Sequence, residues 1–140
     1  MDGKRSNQNP GVIMIDIDHF KKYNDTHGHA VGDFVLVEIS DLLRSKLREG
    51  DIACRYGREE LVMVMPGATK EITAARAEFM REAIEKHHFV YNDSNMLCIT
   101  VSLGVANYPA DGDSSATLMK AADSALYQAK DAGRNRVVLA

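Results

Sequence analysis

Acidic residues gather where runs of apolar residues end. Asp16 and Asp18 lie two positions apart after a short β-branched run, and an extended backbone would point both side chains to one face. Such neighbours raise each other's pKa unless a cation neutralises them, and a divalent metal with oxygen ligands is the usual reason for the pair. A solvated loop, in which an Asp caps a helix over residues 20–24, explains the same pattern equally well.

A second acidic pair, Glu59 and Glu60, separates two short apolar segments, 52–56 and 61–65. This pattern predicts a β-hairpin with two acids at its tip. Adjacent strand residues face opposite sides, so at most one of the two would join Asp16 at a shared metal. A hairpin tip is also an ordinary place for solvated charge, and both interpretations stay open here.

The elements that must position these acids follow from apolar spacing. The sequence predicts a buried strand at 12–15, a helix striped from Val31 to Leu47 and stopped near Gly50, and the hairpin. A helix with one apolar face follows, then a strand at 97–105, a last helix capped by Asp113 or Ser114 and closed by Gly133, and an edge strand at 137–139. The apolar face of the helix after the hairpin is predicted at Ile72, Ala75, Phe79 and Ala83. The order predicts one α/β (α+β) domain with a mainly antiparallel central sheet and flanking helices.

Composition limits the possible functions. The 140 residues suit a single domain, and 45% apolar with 26% charged residues is a globular balance that excludes a disordered tail or a membrane protein. A net charge of −3 argues against DNA as a partner. Residues 1–11 form a polar N-terminal segment without a secretion signal, so we expect a cytoplasmic location. Cys54 and Cys98 lie in apolar stretches and are predicted to be buried free thiols.

Four ordered segments resemble the GGDEF family of diguanylate cyclases. They are IDIDHFKKYNDTHGHAVGD, RYGREELVMVMPG, ITVSLGVA and ADSALYQAKDAGRNR, and the resemblance extends over a domain at 12–140. It implies a sheet similar to the palm of adenylate cyclases and polymerases, two Mg²⁺ (or Mn²⁺) ions, GTP as substrate and cyclic di-GMP as product. It also implies a bacterial cytoplasmic homodimer in which two GTP-loaded half-sites meet antiparallel.

The resemblance assigns roles to several residues of this chain. Asp16, the backbone carbonyl of Ile17 and Glu59 would hold the metals, and Glu60 would hold a metal or assist deprotonation of the 3′-hydroxyl. The residues implied to bind the substrate are His19, Phe20 and Lys21 through backbone N–H groups, Asn24 and Asp33 on guanine, and Lys130 and Arg134 on phosphates. Each has an ordinary alternative: a turn residue for Asn24, a first-turn acid for Asp33, and a dipole-complementing pair for the two cations.

An RxxD sequence, Arg48 to Asp51, precedes the hairpin. The resemblance implies that these residues bind cyclic di-GMP at an inhibitory or receptor site, and a guanidinium suits both phosphate and the guanine Hoogsteen edge. Taken alone, the same spacing is usual for a surface ion pair.

The chain departs from the family at its signature. Gly57-Arg58-Glu59-Glu60-Leu61 stands where the family has Gly-Gly-Asp/Glu-Glu-Phe, and an arginine forced into a left-handed conformation costs roughly 1 kcal/mol or more. We therefore predict a diguanylate cyclase with weakened activity, or alternatively an inactive receptor for cyclic di-GMP or GTP that uses Arg48 and Asp51; a purely structural dimerisation module is a third, weaker hypothesis. The family's LTGLxNRR-like helix is missing before residue 12, so we expect sensory and dimerising parts outside this chain.

Overall fold

The computed structural model describes residues 9–92 and 95–140. Residues 1–8 of the predicted polar N-terminal segment lie outside this range. In chain order the elements are β1 (Gly11–Ile17), α1 (Phe20–His27), α2 (His29–Ser45), β2 (Ile52–Arg55), β3 (Glu60–Met65), α3 (Lys70–Lys86), β4 (Phe89–Tyr91), β5 (Asn95–Leu97), β6 (Val101–Asn107), α4 (Ser115–Asp131) and β7 (Val137–Leu139).

Strand β1 lies at the centre of a five-stranded sheet with the order β2-β3-β1-β6-β7. It pairs antiparallel with β3 on one side and with β6 on the other, while β6 and β7 pair in parallel. Strands β4 and β5 form a separate hairpin. Every residue of β1 is buried, because helices cover both faces of the sheet. The prediction of an α+β domain with a mainly antiparallel sheet and flanking helices is confirmed.

Alternate residues of β1 enter two different cores, as the two-residue period of a strand requires. Ile13 and Ile15 face the larger core beneath helices α1, α2 and α3. Val12 and Met14 face a smaller core beneath α4. Asp16 continues the second set, so its carboxylate is expected on the face that α4 covers.

Helix α4 packs on β6 at very short range. A Cβ on Gly104 would lie 2.2 Å from the Ala122 carbonyl oxygen and 2.3 Å from the Leu126 nitrogen, so only glycine fits between the strand and the helix. Of the two predicted N-caps, Asp113 and Ser114, it is Ser114 that caps the helix: its hydroxyl accepts from the Thr117 N–H at 3.2 Å in a capping box. The cap therefore defines where the helix starts, and the close contact at Gly104 defines its distance from the sheet.

The buried face predicted for α3 is wrong. Thr73, Ala77, Met80 and Ile84 are buried, whereas Ile72 is 43% and Phe79 47% exposed. A threonine can enter this core because its hydroxyl donates to the Thr69 carbonyl at 2.7 Å, and the apolar pattern did not count it.

Two further predictions need correction. Cys54 and Cys98 are free thiols but exposed, because Cys54 lies on the edge strand β2 and Cys98 follows the small hairpin. The strand predicted at 97–105 is divided between β5 and β6. Over the residues that the structure describes, no helix has the length and apolar character needed to cross a bilayer.

Candidate functional site

The acid at the end of β1 lies beside the hairpin acids. Asp16 is 5% exposed and its Cα partner in the antiparallel register is Glu60, so the two side chains leave the sheet on the same face. The Ile17 N–H donates to the Glu59 carbonyl at 3.3 Å. The tip of the hairpin and the end of the central strand are therefore joined by main-chain contacts.

Lys130 completes this group from α4. Its ammonium donates to Asp16 Oδ2, and the Lys130 side chain is 33% exposed. The alternative that Lys130 only complements the helix dipole does not account for this contact. The ion pair places a cation of the last helix on the acid of the first strand.

Burial raises the pKa of Asp16 from 3.8 to about 6, against the lowering effect of Lys130, and the charges of Glu59 and Glu60 raise it further. The charged neighbours of Asp16 are thus one ammonium and two further acids. The surplus of negative charge, carried by hard oxygen donors, fits a divalent cation. The groups that would hold it are Asp16, the Ile17 carbonyl and Glu59, which precedes β3 and so does not follow the alternation of strand side chains.

No group of three or more His, Cys, Asp or Glu side chains is arranged to bind a metal within residues 9–92 and 95–140. The predicted donor set contains two carboxylates and a main-chain carbonyl, so it does not form such a group. The fit to a cation rests on the charge and chemistry of the donors.

A cleft of about 210 Å³ lies next to Glu59. Its lining residues are Phe20, Lys21, Asn24, Asp25, His29, Arg58 and Glu59. It brings together residues of α1 and of the hairpin tip that the sequence predicted to share a substrate. Asp33 is exposed and does not line the cleft, although it directly follows Gly32, which packs against Asn24.

Asn24, which lines this cleft, has an unsatisfied acceptor packed against Gly32. Its Oδ1 is buried and has no hydrogen-bond partner among the described residues. The atom lies only 1.6 Å from the point where a Cβ on Gly32 would stand, so the glycine leaves the space that the amide occupies. A buried acceptor without a donor is costly, and a ligand N–H would satisfy it.

The turn between β1 and α1 is shaped by two residues. His19 is the N-cap of α1 with φ 58°, in the left-handed region, and makes no side-chain cap bond. The predicted Asp cap does not form, because Asp18 is 3% exposed and accepts from Thr100 and Ser102 instead. The first N–H groups of α1 have no acceptors within the helix and suit an anion.

Arg58 does not occupy a strained backbone conformation. Among the described non-glycine residues, positive φ angles occur at His19, Asn92, Arg134 and Asn135. The left-handed strain considered for Arg58 is therefore absent, since the hairpin tip adopts ordinary φ angles. Its carbonyl accepts from the Arg55 guanidinium at 2.6 Å, and its exposed side chain lines the cleft.

Arg48 and Asp51 form an ion pair that does not line the cleft beside Glu59. The Asp51 carboxylate accepts from the Arg48 N–H at 3.0 Å and lies 3.5 Å from Arg48 Nε. The Asp51 side chain is 3% exposed and that of Arg48 47%, so the acid is fixed and the guanidinium faces solvent. Both line a cleft of about 360 Å³ with Ile72.

Arg134 lies in the turn after α4, exposed, with φ 63°. Gly133 takes the predicted position after the helix with φ 124°. The sequence analysis missed Asn135, whose N–H donates to Asp18 at 3.0 Å. The available indication was the Gly-Arg-Asn order, since Asn enters the left-handed region more readily than most residues.

These features define an α+β domain with a mixed five-stranded sheet, acids at the end of its central strand, and a cleft beside them. A family model described as "Diguanylate cyclase, GGDEF domain" matches residues 1–136. The chain belongs to this GGDEF family.

Related sequences and solved structures support the same family assignment. Diguanylate cyclase A of Treponema denticola is 41% identical over 128 residues, which are 91% of this chain and 34% of that protein. The GGDEF domain of YfiN (TpbB) from Pseudomonas aeruginosa is 33% identical with a TM-score of 0.92, covering 99% of this chain and 86% of that one. The GGDEF domain of DgcB from Caulobacter crescentus, solved in complex with c-di-GMP, is 32% identical with a TM-score of 0.89, covering 99% and 81%. The chain thus spans about a third of the length of the first of these proteins.

Proposed function

We propose that this chain is a diguanylate cyclase domain that condenses two molecules of GTP into cyclic di-GMP. The observation that carries the proposal is the junction of Asp16 with the hairpin acids beside a cleft that contains Asn24. Two chains, each holding one GTP, would face each other antiparallel, because the reaction joins two nucleotides that one such cleft cannot hold together.

Substrate binding divides between the base and the phosphates. The unsatisfied Asn24 amide and Asp33 would bind the guanine edge, whose N1–H and N2–H groups are donors. The first N–H groups of α1, at His19, Phe20 and Lys21, would receive the terminal phosphates. Lys130 of α4 and Arg134 of the turn that follows it would neutralise the same phosphates.

The proposed chemistry is an in-line displacement. The 3′-oxygen of one GTP bonds to the α-phosphorus of the other, the bond to pyrophosphate breaks, and two such steps close the ring. Glu60, on the same face as Asp16, would accept the 3′-hydroxyl proton. When bound, Mg²⁺ would neutralise negative charge on the attacking and leaving oxygens. Asp16 and Glu59 would supply carboxylate oxygens to hold it.

The direct test is incubation with GTP and Mg²⁺, followed by chromatographic detection of cyclic di-GMP and pyrophosphate. Glu59→Gln and Glu60→Gln should each abolish product, whereas Glu71→Gln, on the exposed first turn of α3, should not. Absence of product from the full-length protein at high concentration would exclude the cyclase.

A second candidate function, a receptor for cyclic di-GMP, is favoured by the fixed geometry at Arg48. The buried Asp51 orders the loop while the guanidinium stays accessible, which suits a phosphate or guanine ligand. Calorimetry should detect binding of cyclic di-GMP that Arg48→Ala removes and Arg44→Ala leaves intact. Equal binding by the two variants would reject this site.

A further inference from the structure

The turn that carries Arg134 has an unusual backbone. Three successive residues have positive φ angles: Gly133 at 124°, Arg134 at 63° and Asn135 at 47°. The Arg134 N–H donates to the Ala129 carbonyl at 2.9 Å, which ends α4. Two consecutive non-glycine residues persist in this region only when their surroundings hold them there.

Asp18 supplies one of these contacts. Its Oδ2 accepts from the Asn135 backbone N–H at 3.0 Å and from Thr100 at 2.7 Å, and its Oδ1 accepts from Ser102 at 2.6 Å. Because Asp18 is 3% exposed and follows the end of β1, this carboxylate fixes the turn to the strand that bears Asp16.

The Asn135 side chain supplies the other contact, on the opposite side of the turn. Its Oδ1 accepts from Arg81 at 2.9 Å and its Nδ2 donates to Glu85 at 2.8 Å. Arg81 is itself held by two hydrogen bonds to Glu78, at 2.9 and 2.7 Å, and by one to Glu85 at 3.0 Å. Hydrogen bonding to Arg81 lowers the pKa of Glu78, so this network keeps its charges at neutral pH.

We infer that Asp18 and Asn135 form a clamp that positions Arg134 for substrate phosphates, with Arg81 of α3 as its outer support. The inference rests on the proposed function, since that function is what assigns Arg134 to the substrate phosphates. Asp18 and Asn135 are positioning residues that do not touch substrate. Both act through the backbone of the turn between α4 and β7, which carries Arg134. The same clamp gives α3, a helix remote in sequence from the Arg134 turn, an influence on phosphate binding.

The test is a double-mutant cycle on GTP affinity, measured by calorimetry with Mg²⁺. Asn135→Gly keeps the left-handed backbone accessible and the Asp18 contact to the backbone N–H, so it isolates the contribution of the Asn135 side chain to the clamp. It should raise the Kd for GTP by roughly fivefold or more, within the range for coupled neighbours. The double variant with Arg134→Ala should bind no more weakly than Arg134→Ala alone. Arg81→Met should reproduce the loss from α3.

Hydrogen exchange supplies a readout that does not depend on the substrate. The backbone N–H at position 135 should exchange faster in Asn135→Gly and Arg81→Met. The backbone N–H groups of β1 should keep their protection, which shows that the fold is intact. Additive losses in the cycle, or an unchanged Kd in Asn135→Gly, would overturn the clamp alone. A Kd that Arg134→Ala leaves unchanged would overturn the clamp together with the assignment of Arg134 to phosphates.

Discussion

The ammonium of Lys130 is hydrogen-bonded to the carboxylate of Asp16, which joins the end of α4 to the end of β1. Both residues belong to the proposed active site, one on phosphates and one on the metal. In the protein alone each is the counter-ion of the other. Binding of nucleotide and metal would give each a new partner of opposite charge. Until then, their mutual contact holds both side chains near the positions that the ligands require.

The ionisation of Asp16 should oppose folding at neutral pH. Its pKa is about 6 in the folded protein, above the ordinary value of 3.8, so the folded state holds this proton more tightly than the unfolded state. Stability should therefore fall as the pH rises through this interval and stay lower above it. Asp16→Asn should gain stability relative to the parent over the same interval, on the order of 2 kcal/mol at pH 7.

Urea unfolding in metal-free buffer at both ends of the interval measures this difference. Asp25→Asn, an exposed acid of α1, serves as the control and should show no such trend. A gain for Asp16→Asn that is the same at both ends would contradict the argument from burial.

Gly104→Ala should destabilise the domain by forcing α4 from β6. The added Cβ would meet backbone atoms of Ala122 and Leu126, which cannot move aside singly, and overpacking of this kind costs typically 1–3 kcal/mol, occasionally more. Gly50→Ala is the comparison, because Gly50 has φ 93° and no atom within 4 Å of the added group. It should cost only about 1 kcal/mol, from the backbone. Equal losses in denaturant unfolding would show that packing at Gly104 is unimportant.

Gly32→Ala should weaken GTP binding without loss of stability. Its Cβ would displace the Asn24 amide, whereas alanine favours the interior of α2 over glycine. Loss of one buried hydrogen bond to the ligand predicts roughly a tenfold higher Kd. Ser40→Ala in the same helix should leave the Kd unchanged, and cyclic di-GMP binding at Arg48 should be the same in both. Normal GTP affinity in Gly32→Ala would argue against Asn24 as a ligand.

Restoring the family glycine at the hairpin should not stabilise the fold. Arg58 has no positive φ to relieve, and glycine adds freedom to the unfolded chain, so Arg58→Gly should lose about 0.4–1 kcal/mol. Arg58→Ala should stay within about 0.5 kcal/mol of the parent. Thermal or urea unfolding decides the matter: a more stable Arg58→Gly protein would mean that the arginine does strain the hairpin.

Local patterns in the sequence were sufficient for much of the fold. Three elements have a clear spacing of apolar residues and clear end residues: the strand that ends at Asp16, the hairpin around Glu59, and the last helix from Ser114 to Gly133. The helix over 70–86 was assigned the wrong face because Thr73 counts as polar in a pattern, although its hydroxyl is satisfied within the helix. Burial of Thr73 depends on a hydrogen bond that spacing does not reveal.

The candidate site shows the same division. The resemblance to the GGDEF family implied that Asp16 and Glu59 share a metal, but nothing in the sequence predicted the partners of Asp18. Thr100, Ser102 and Asn135 come from segments far along the chain, and only the three-dimensional pairing of β1 with β6 makes them neighbours. A residue type permits such a contact and does not predict it.

The central place of β1 has a consequence for biosynthesis. This strand leaves the ribosome well before β6, yet its register with β6 extends from Ile17 opposite Val101 to Gly11 opposite Asn107. A growing chain therefore carries a mainly apolar strand without its second neighbour until most of the domain has been translated, and long-range pairing of this kind slows folding. The sheet can close only after β6 has been translated, so we expect this domain to be exposed to aggregation for longer during synthesis than a helical domain of equal length.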